Sequence, residues 1–147
     1  MQKNLKTLKL FLQLELRKWQ DSGYQKPLLA YASSLSSDLI GAEIDNQSDS
    51  SVVDIVSRLC DQVTSIFVFI QAAPAEPFGS TLKLLNNLLR TNQKIHSVVL
   101  SGDHEQVEKL FKHLQNRFIK ESEAGKIKIL IKEFATSPQP LSKGEGD

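Results

Sequence analysis

One stretch of the sequence, residues 65–73, is apolar over most of its length and reads SIFVFIQAA. It is rich in β-branched and aromatic residues, which favour strands, and it has the length of a strand. A strand with one solvent-exposed face would alternate polar and apolar residues, and this stretch does not. We therefore predict a strand that is buried on both faces and around which the rest of the chain is organised.

The residues after this strand predict helices and strands in alternation. A helix is expected from Gly79 or Ser80 to about Thr91, followed by a strand over residues 94–102. Asp103 then caps a helix that reaches Phe118. Residues 126–134, KIKILIKEF, alternate apolar residues with lysines for most of their length and predict a half-exposed edge strand.

The residues before the central strand are interpreted as three helices. The first is ambiguous, because leucines at every second position from Leu8 to Leu16 fit a strand, whereas Leu5, Leu8, Leu12 and Leu16 also form a helical stripe. Leu, Lys, Gln and Glu favour helix, so we predict a helix over residues 4–20. A second helix is expected to begin at Pro27 and to weaken at Gly41, and a third covers residues 52–63.

This pattern predicts an α/β fold with a small, three-stranded, mainly parallel sheet, helices on both faces and three N-terminal helices before it. With the strands numbered along the chain, the order 2-1-3 is favoured over 1-2-3, because it places the most apolar strand at the centre. We expect a single domain over residues 1–136, with a helical part (1–64) and a β-α-β-α-β part (65–136). Residues 137–147, SPQPLSKGEGD, are expected to be disordered.

The net charge, the length of the apolar stretches and the cysteine count limit the classes of function that we expect. The formal net charge of +1 gives no overall attraction to nucleic acid or membrane, and neither is expected as a partner. No stretch approaches the roughly 20 apolar residues of a membrane span. The single cysteine, Cys60, excludes an internal disulfide, and the N-terminus lacks the pattern of a signal peptide, so we expect a cytoplasmic protein. Because Cys60 lies in an apolar helical stripe, we expect an inert core thiol.

A search for chemical motifs finds none that is specific. The sequence contains no GxxxxGK[ST] or GxGxxG phosphate-binding motif and no GxSxG nucleophile motif. His104 and Glu108 lie one helical turn apart and could bind a metal, but His96, the nearest third ligand, is expected at the opposite edge of the sheet. We therefore predict no metal and no cofactor, and the absence of motifs argues against an enzyme.

The remaining guide to a site is position in the sheet. In open parallel sheets, ligands bind beyond the carboxyl ends of the strands. The ligand-binding candidates at these ends are Gln71, Gly79, Ser80, Thr81, Ser101 and Gly102. Weak candidates for acid–base chemistry are Asp103, His104 and Glu76, and no catalytic residue is assigned beyond them.

Two functional hypotheses follow. The first is a non-enzymatic interaction or regulatory module that forms a homodimer and could bind a partner protein. Its interface would use Leu10, Phe11 and Leu14, which lie outside the main stripe of the first predicted helix. The alternative is a small-molecule, nucleotide or phosphate-binding α/β protein, with or without enzymatic activity, that uses the loops at the carboxyl ends of the strands. The sequence identifies neither ligand, partner nor pathway.

Overall fold

Strands and helices alternate along the whole described part of the chain. The computed structural model describes residues 8–17 and 27–137. The elements are β1 (Lys9–Leu16), α1 (Pro27–Leu35), β2 (Leu39–Asp45), α2 (Ser50–Gln62), β3 (Ser65–Ala72), α3 (Thr81–Arg90), β4 (Ile95–Ser101), α4 (Glu105–Phe111), β5 (Phe118–Lys120) and α5 (Ala124–Thr136). Two short 3-10 helices, Asn92–Lys94 and Lys112–Arg117, precede β4 and β5.

The strands form one five-stranded sheet in the order β2-β1-β3-β4-β5, and every neighbouring pair is parallel. The prediction of a parallel sheet is confirmed, but the predicted number of three strands was wrong. The most apolar strand, β3, lies at the centre of the sheet, since burial on both faces removes the most apolar surface from water.

Helices cover both faces of the sheet. Helices α2, α3 and α4 pack on one face, where their apolar side chains meet the leucines of β1 and alternate residues of β3 and β4. Helices α1 and α5 pack on the other face, over Phe11 of β1, Phe67 and Phe69 of β3, and Val99 of β4. Three of these phenylalanines stack, with ring centroids 5.7 Å apart for Phe11 and Phe67 and 6.4 Å apart for Phe11 and Phe69.

The predicted first helix was wrong over the described residues, because Lys9–Leu16 is a strand and all eight of its residues are buried. Its even-numbered leucines enter the core beneath α2, α3 and α4, while Phe11 enters the opposite core. Leu10, Phe11 and Leu14 are each 0% exposed, so these three side chains cannot form the predicted surface contact between two copies. Residues 4–7 and 18–20 of that predicted helix lie outside the described part of the chain.

The predicted third strand was also wrong, because residues 126–134 belong to α5. Ile127, Ile131 and Phe134 are buried at helical spacing, whereas Ile129 is 60% exposed. Besides β1, two further strands were missed: β2 was assigned to the weak end of the second predicted helix, and the three-residue β5 begins where the helix predicted after Asp103 ends. The first described helix therefore follows β1, and the arrangement of three helices before the sheet was wrong. Of the predicted disordered tail, residues 138–147 lie outside the described part.

Lys9 is a buried basic residue at the amino end of the sheet, and it holds the C-terminal end of α5. Its Nζ donates hydrogen bonds to the carbonyl oxygens of Phe134 at 2.8 Å, Ala135 at 3.2 Å and Ser137 at 2.6 Å. The last carbonyls of a helix lack partners within the helix and carry partial negative charge, so a cation stabilises them. Burial lowers the pKa of Lys9, partly opposed by the charge of Asp38.

We expect Lys9→Met to lower the free energy of unfolding by about 1–3 kcal/mol, because carbonyl groups of α5 lose their donor in a buried place. Urea denaturation followed by circular dichroism measures the change. The exposed Lys132→Met, on the same helix, is the matched control and should change stability by less than about 0.5 kcal/mol. Equal stability of the two variants would contradict this role for Lys9.

Cys60 is buried in the core on the α2 side, as predicted. Burial raises the pKa of its thiol from 9.0 to about 12, with a further contribution from the charge of Asp61. Because the unfolded chain loses this proton first, the stability due to the neutral thiol is lost as pH rises from about 9 towards 12.

We expect the Cys60 thiol to react with a disulfide reagent at about pH 8 only after unfolding, since the thiolate is the reacting species. Absorbance of the released thiol, measured with and without denaturant, gives the two rates. Equal rates in the folded and unfolded protein would show that the thiol is accessible.

Candidate functional site

The carboxyl ends of the parallel strands meet at one edge of the sheet, here called the carboxyl edge. Within the described part of the chain, three cavities open along this edge, with volumes of about 610, 200 and 210 Å³. Each is lined by residues from strand ends and from the loops or helix starts that follow them. The predicted location of the candidate site therefore coincides with the concave part of this surface.

The largest cavity lies between the loop after β3 and the start of α4. Its lining brings together the three predicted acid–base candidates, Glu76, Asp103 and His104. Ala75, in the same loop, has a φ angle of 63°, which is uncommon for a residue with a Cβ atom.

His104 in this cavity is held by backbone groups. Its Nε2 lies 2.7 Å from the carbonyl oxygen of Glu76, and its Nδ1 accepts a hydrogen bond of 3.3 Å from the N–H of Val107. With Nδ1 as the acceptor, Nε2 is the nitrogen placed to donate to the Glu76 carbonyl, and the side chain serves as the N-cap of α4, a position that the sequence assigned to Asp103. Both ring nitrogens are engaged in hydrogen bonds with backbone groups, so His104 links the loop to the helix. A ring held in this way is poorly suited to proton transfer.

Asp103 and Glu108 share one cation. Lys120 Nζ lies 2.9 Å from Asp103 Oδ1 and 3.0 Å from Glu108 Oε2. The hydrogen bonds that Lys120 donates to Asp103 and Glu108 raise its pKa. His104 and Glu108, the pair considered as possible metal ligands and not assigned, are thus engaged in other hydrogen bonds, and no group of three or more possible metal ligands occurs among residues 8–17 and 27–137.

The predicted phosphate-binding residues at the start of α3 have structural roles. Thr81 is fully buried, and its Oγ1 donates a 2.6 Å hydrogen bond to the carbonyl oxygen of Phe78. Gly79 has a φ angle of 54°, and a Cβ there would overlap the carbonyl oxygen of Asn46. Ser80 Oγ is buried and has no hydrogen-bond partner in the described part of the chain. These residues line none of the three cavities.

The second cavity lies at the ends of β1 and β2 and is rich in carboxylates. It is lined by Glu15, Glu43 and Asp45 together with Arg17. Arg17 forms ion pairs with Asp45 at 2.9 Å and with Glu15 at 3.5 Å. Its guanidinium charge is therefore already balanced by carboxylates of the protein.

The third cavity, here called the Gln13 cavity, lies over β1, β3 and β4 between α1 and α5. Among the described residues, its polar lining is Gln13, Gln71, Ser101 and Ser122, and its apolar lining is Leu28, Phe69, Ala124 and Ile127. Gln71 and Ser101 were predicted as ligand-binding residues. Gln13 and Ser122 were not, and the only sequence signal for Gln13 is a polar residue in the middle of a run of alternating leucines.

Gln13 has an unusual set of contacts for a core residue. It is 3% exposed, and its Nε2 donates a 2.6 Å hydrogen bond to Glu15 Oε2. No group in the described part of the chain donates to its Oε1, which is buried. A buried acceptor without a donor costs about 1–3 kcal/mol, so an apolar residue would give a more stable core here.

The charge of the carboxyl edge is predominantly negative. Among the described residues, carboxylates lie at or after the ends of all five strands, at Glu15, Asp45, Glu76, Asp103, Glu121 and Glu123. The basic side chains Arg17 and Lys120 are each paired with two carboxylates. An anionic ligand would therefore meet repulsion at this edge.

The strand order β2-β1-β3-β4-β5 is one of the two common orders of doubly wound sheets, and its direction reverses between β1 and β3. No model of a known protein family, no curated protein and no solved structure matches this chain. The Gln13 cavity spans the point of reversal, because Gln13 is on β1 and both Phe69 and Gln71 are on β3. Ligands of doubly wound proteins commonly bind at this point, which is an analogy at the level of the fold alone.

Proposed function

We propose that this protein binds a small molecule at the carboxyl edge of its sheet, in the Gln13 cavity. The observation that carries the proposal is that Gln13 lines this cavity and that its buried Oε1 atom has no donor in the described part of the chain. A bound molecule that donates a hydrogen bond to this atom would remove the cost of burying it.

The composition of the cavity walls supports the same proposal. Binding sites for small molecules are mostly apolar, with a few polar groups that fix the orientation of the ligand. The Gln13 cavity has this composition, with four apolar side chains, two amides and two hydroxyls. Its volume of about 210 Å³ suits a small compound or one end of a larger molecule.

The nucleotide or phosphate ligand of the sequence-based alternative is not part of this proposal. The start of α3 lines no cavity, and its Thr81 hydroxyl is bound to the backbone. No basic side chain among the described residues lines the Gln13 cavity. We assign no reaction, because His104 is held by backbone hydrogen bonds and lies in a different cavity from Gln13.

Native mass spectrometry of the protein purified from its own host tests this proposal. The expected result is a stoichiometric adduct that is lost in Ala124→Leu, since Ala124 is an exposed residue at the start of α5 and a leucine there would fill the cavity. The exposed Ala30→Leu, on α1 and outside the cavity lining, is the control and should keep the adduct. An adduct that survives in both variants would show that the ligand binds elsewhere.

A protein-interaction module remains the second candidate, now on a different surface. Helices α2 and α3 pack together and expose Val52, Ile55 and Leu82, which are 37%, 61% and 43% exposed. Exposed apolar side chains on neighbouring helices favour contact with another protein or a second copy of this one. Sedimentation at tens of micromolar should then show an oligomer that Ile55→Glu dissociates, and a monomer would remove the homodimer from consideration.

A further inference from the structure

We infer that two copies of this protein join along the outer edge of β2, so that their sheets form one continuous sheet. The inference gives the homodimer of the second candidate function a defined interface, and it is independent of the ligand proposed for the Gln13 cavity. It is carried by the backbone groups that β2 leaves open, by their symmetry, and by the apolar side chains beside them.

Strand β2 has one row of backbone groups that points away from the sheet. Its only neighbour among the described strands is β1, and hydrogen bonds from Lys9 N to Asp38 O and from Asn46 N to Glu15 O fix their alignment. Backbone groups of alternate residues point to opposite sides of a strand. The even-numbered residues of β2 therefore face β1, and its odd-numbered residues face outward.

Two of the outward-facing residues have open N–H groups. The N–H groups of Leu39 and Asp45 already donate to oxygens of the adjoining turns, at 3.2 and 3.0 Å. Those of Gly41 and Glu43 have no acceptor in the described part of the chain. Proteins commonly protect an edge strand with lysine, proline or a short length, whereas β2 is seven residues long and reads LIGAEID. This edge can therefore pair with another strand.

The open groups are symmetric about Ala42. A twofold axis beside Ala42 would place Gly41 opposite Glu43 of a second, antiparallel copy, and each such pair would exchange two backbone hydrogen bonds. All the open N–H groups of both copies would then have acceptors. An unrelated strand could also pair here, but the symmetry of the open groups favours a second copy of this chain.

The charges of β2 favour the same alignment. With the axis beside Ala42, the carboxylate of Glu43 lies opposite a glycine. An axis one or two residues later would place Glu43 opposite Glu43 or Asp45 of the second copy, and like charges directly opposite each other destabilise a strand pair. An axis one or two residues earlier would need the N–H of Leu39, which already has an acceptor.

Apolar side chains border this edge on the α2 side of the sheet. Ile40 and Ala42 of β2 are only partly buried there, and Val52 and Ile55 of α2 are 37% and 61% exposed. Both α2 residues lie away from the flank that bears Asp54, which forms an ion pair with α3. Since α3 connects β3 to β4, nearer the centre of the sheet, the flank of Val52 and Ile55 faces the β2 edge. A second copy would remove part of this surface from water.

Sedimentation of the full chain at tens of micromolar tests the inference with Glu43→Pro. Proline has no N–H, so this variant removes one donor per copy and leaves the bonds between β2 and β1 in place. We expect the unchanged protein to be a dimer and Glu43→Pro to raise its dissociation constant by about a hundredfold, the effect of two lost hydrogen bonds. Glu43→Ala keeps the N–H and is the matched control, which should remain a dimer. Circular dichroism checks that both variants fold.

Disulfide cross-linking tests the alignment and does not depend on the proline variant. The two copies of Ala42 would be directly opposite, with Cα atoms roughly 4.5 Å apart, so Ala42→Cys should form a disulfide-linked dimer under mild oxidation. In Glu43→Cys the two thiols would be displaced by about 7 Å along the strands, and linkage should be much slower. The buried Cys60 is present in both variants.

Each other outcome would overturn the inference for a different reason. A monomer, or a dimer that Glu43→Pro leaves unchanged, would show that β2 forms no such contact. A dimer that Ile55→Glu dissociates but Ala42→Cys does not link would place the interface on the helices alone. A monomer whose Gly41 and Glu43 amides resist hydrogen exchange would show that a segment outside the described residues pairs with β2. The ligand proposal for the Gln13 cavity is unaffected by any of these results.

Discussion

We expect Gly102→Ala to lower the free energy of unfolding by about 3 kcal/mol or more. Gly102 follows β4 and has a φ angle of 101°, a backbone conformation that residues with a Cβ atom rarely adopt. A Cβ at this position would also overlap the carbonyl oxygen of Ala72, at the end of β3. Because the obstacle is backbone of the neighbouring strand, relief requires the two central strands to separate at the carboxyl edge.

Chemical denaturation of Gly102→Ala measures this loss, and Gly125→Ala is the matched control. Gly125 lies in the first turn of α5, where an added Cβ would meet only Glu123 Oε1, at 3.8 Å. Alanine favours the helix there and reduces the freedom of the unfolded chain, so the control should gain about 0.5–1 kcal/mol. A change of the same sign and size in both variants would contradict the conformation described for Gly102.

The second large effect is expected for Phe11→Ala, which should lose about 3–5 kcal/mol of stability. The Phe11 ring is fully buried on β1, which lies between β2 and β3, and it stacks on both Phe67 and Phe69. Removing it leaves a cavity beneath α1 and α5 that the rigid sheet cannot close. The variant should therefore unfold at a lower denaturant concentration, and a partly unfolded variant would be consistent with the same cause.

This variant also decides between the helical and the extended interpretation of residues 9–16. On a surface helix that forms a homodimer, Phe11→Ala would change the sedimentation coefficient and leave the stability of the subunit almost intact. The matched control is Leu82→Ala, because Leu82 is 43% exposed on α3 and its truncation should cost within about 0.5 kcal/mol. Stability of Phe11→Ala equal to that of the control would restore the interface prediction.

Part of the fold was predictable because some sequence patterns are compatible with only one type of secondary structure. The run SIFVFIQAA can be buried only as a strand with two covered faces, and the structure places it at the centre as β3. The apolar spacing of α2, from Val53 to Cys60, fits one face of a helix and no strand. The second predicted strand corresponds to β4 within a residue or two at each end.

The errors in the predicted secondary structure occurred where the alternation of a strand and the spacing of a helix both fit the same residues. Leucines at alternate positions from Leu8 to Leu16 fit both a strand and a helical stripe, and residue propensity favoured the helix. The sheet decided otherwise, because a strand between β2 and β3 buries its leucines on one face and Phe11 on the other. Residues 126–134 were predicted as a strand but belong to helix α5, since packing of Ile127 and Ile131 against the sheet requires a helix.

The candidate site was predictable in location and only partly in its residues. The rule that ligands bind at strand ends identified Gln71 and Ser101, which line the Gln13 cavity. Gln13 was missed, because the helix predicted over this stretch left it outside the apolar stripe. His104 was placed correctly near Glu76, but its hydrogen bonds to backbone groups could be read only from the coordinates.

The sequence by itself determined the fold class, the central strand and the edge of the sheet at which polar loops gather. These properties follow from apolar run length and from local periodicity, which act over a few residues. The tertiary structure alone decided the identity of β1 and α5 and the chemistry of the Gln13 cavity. The physical reason is that burial is shared among distant residues: β1 is buried by strands and helices from the rest of the chain, and Gln13 meets Phe69, Ser101 and Ile127 only after folding.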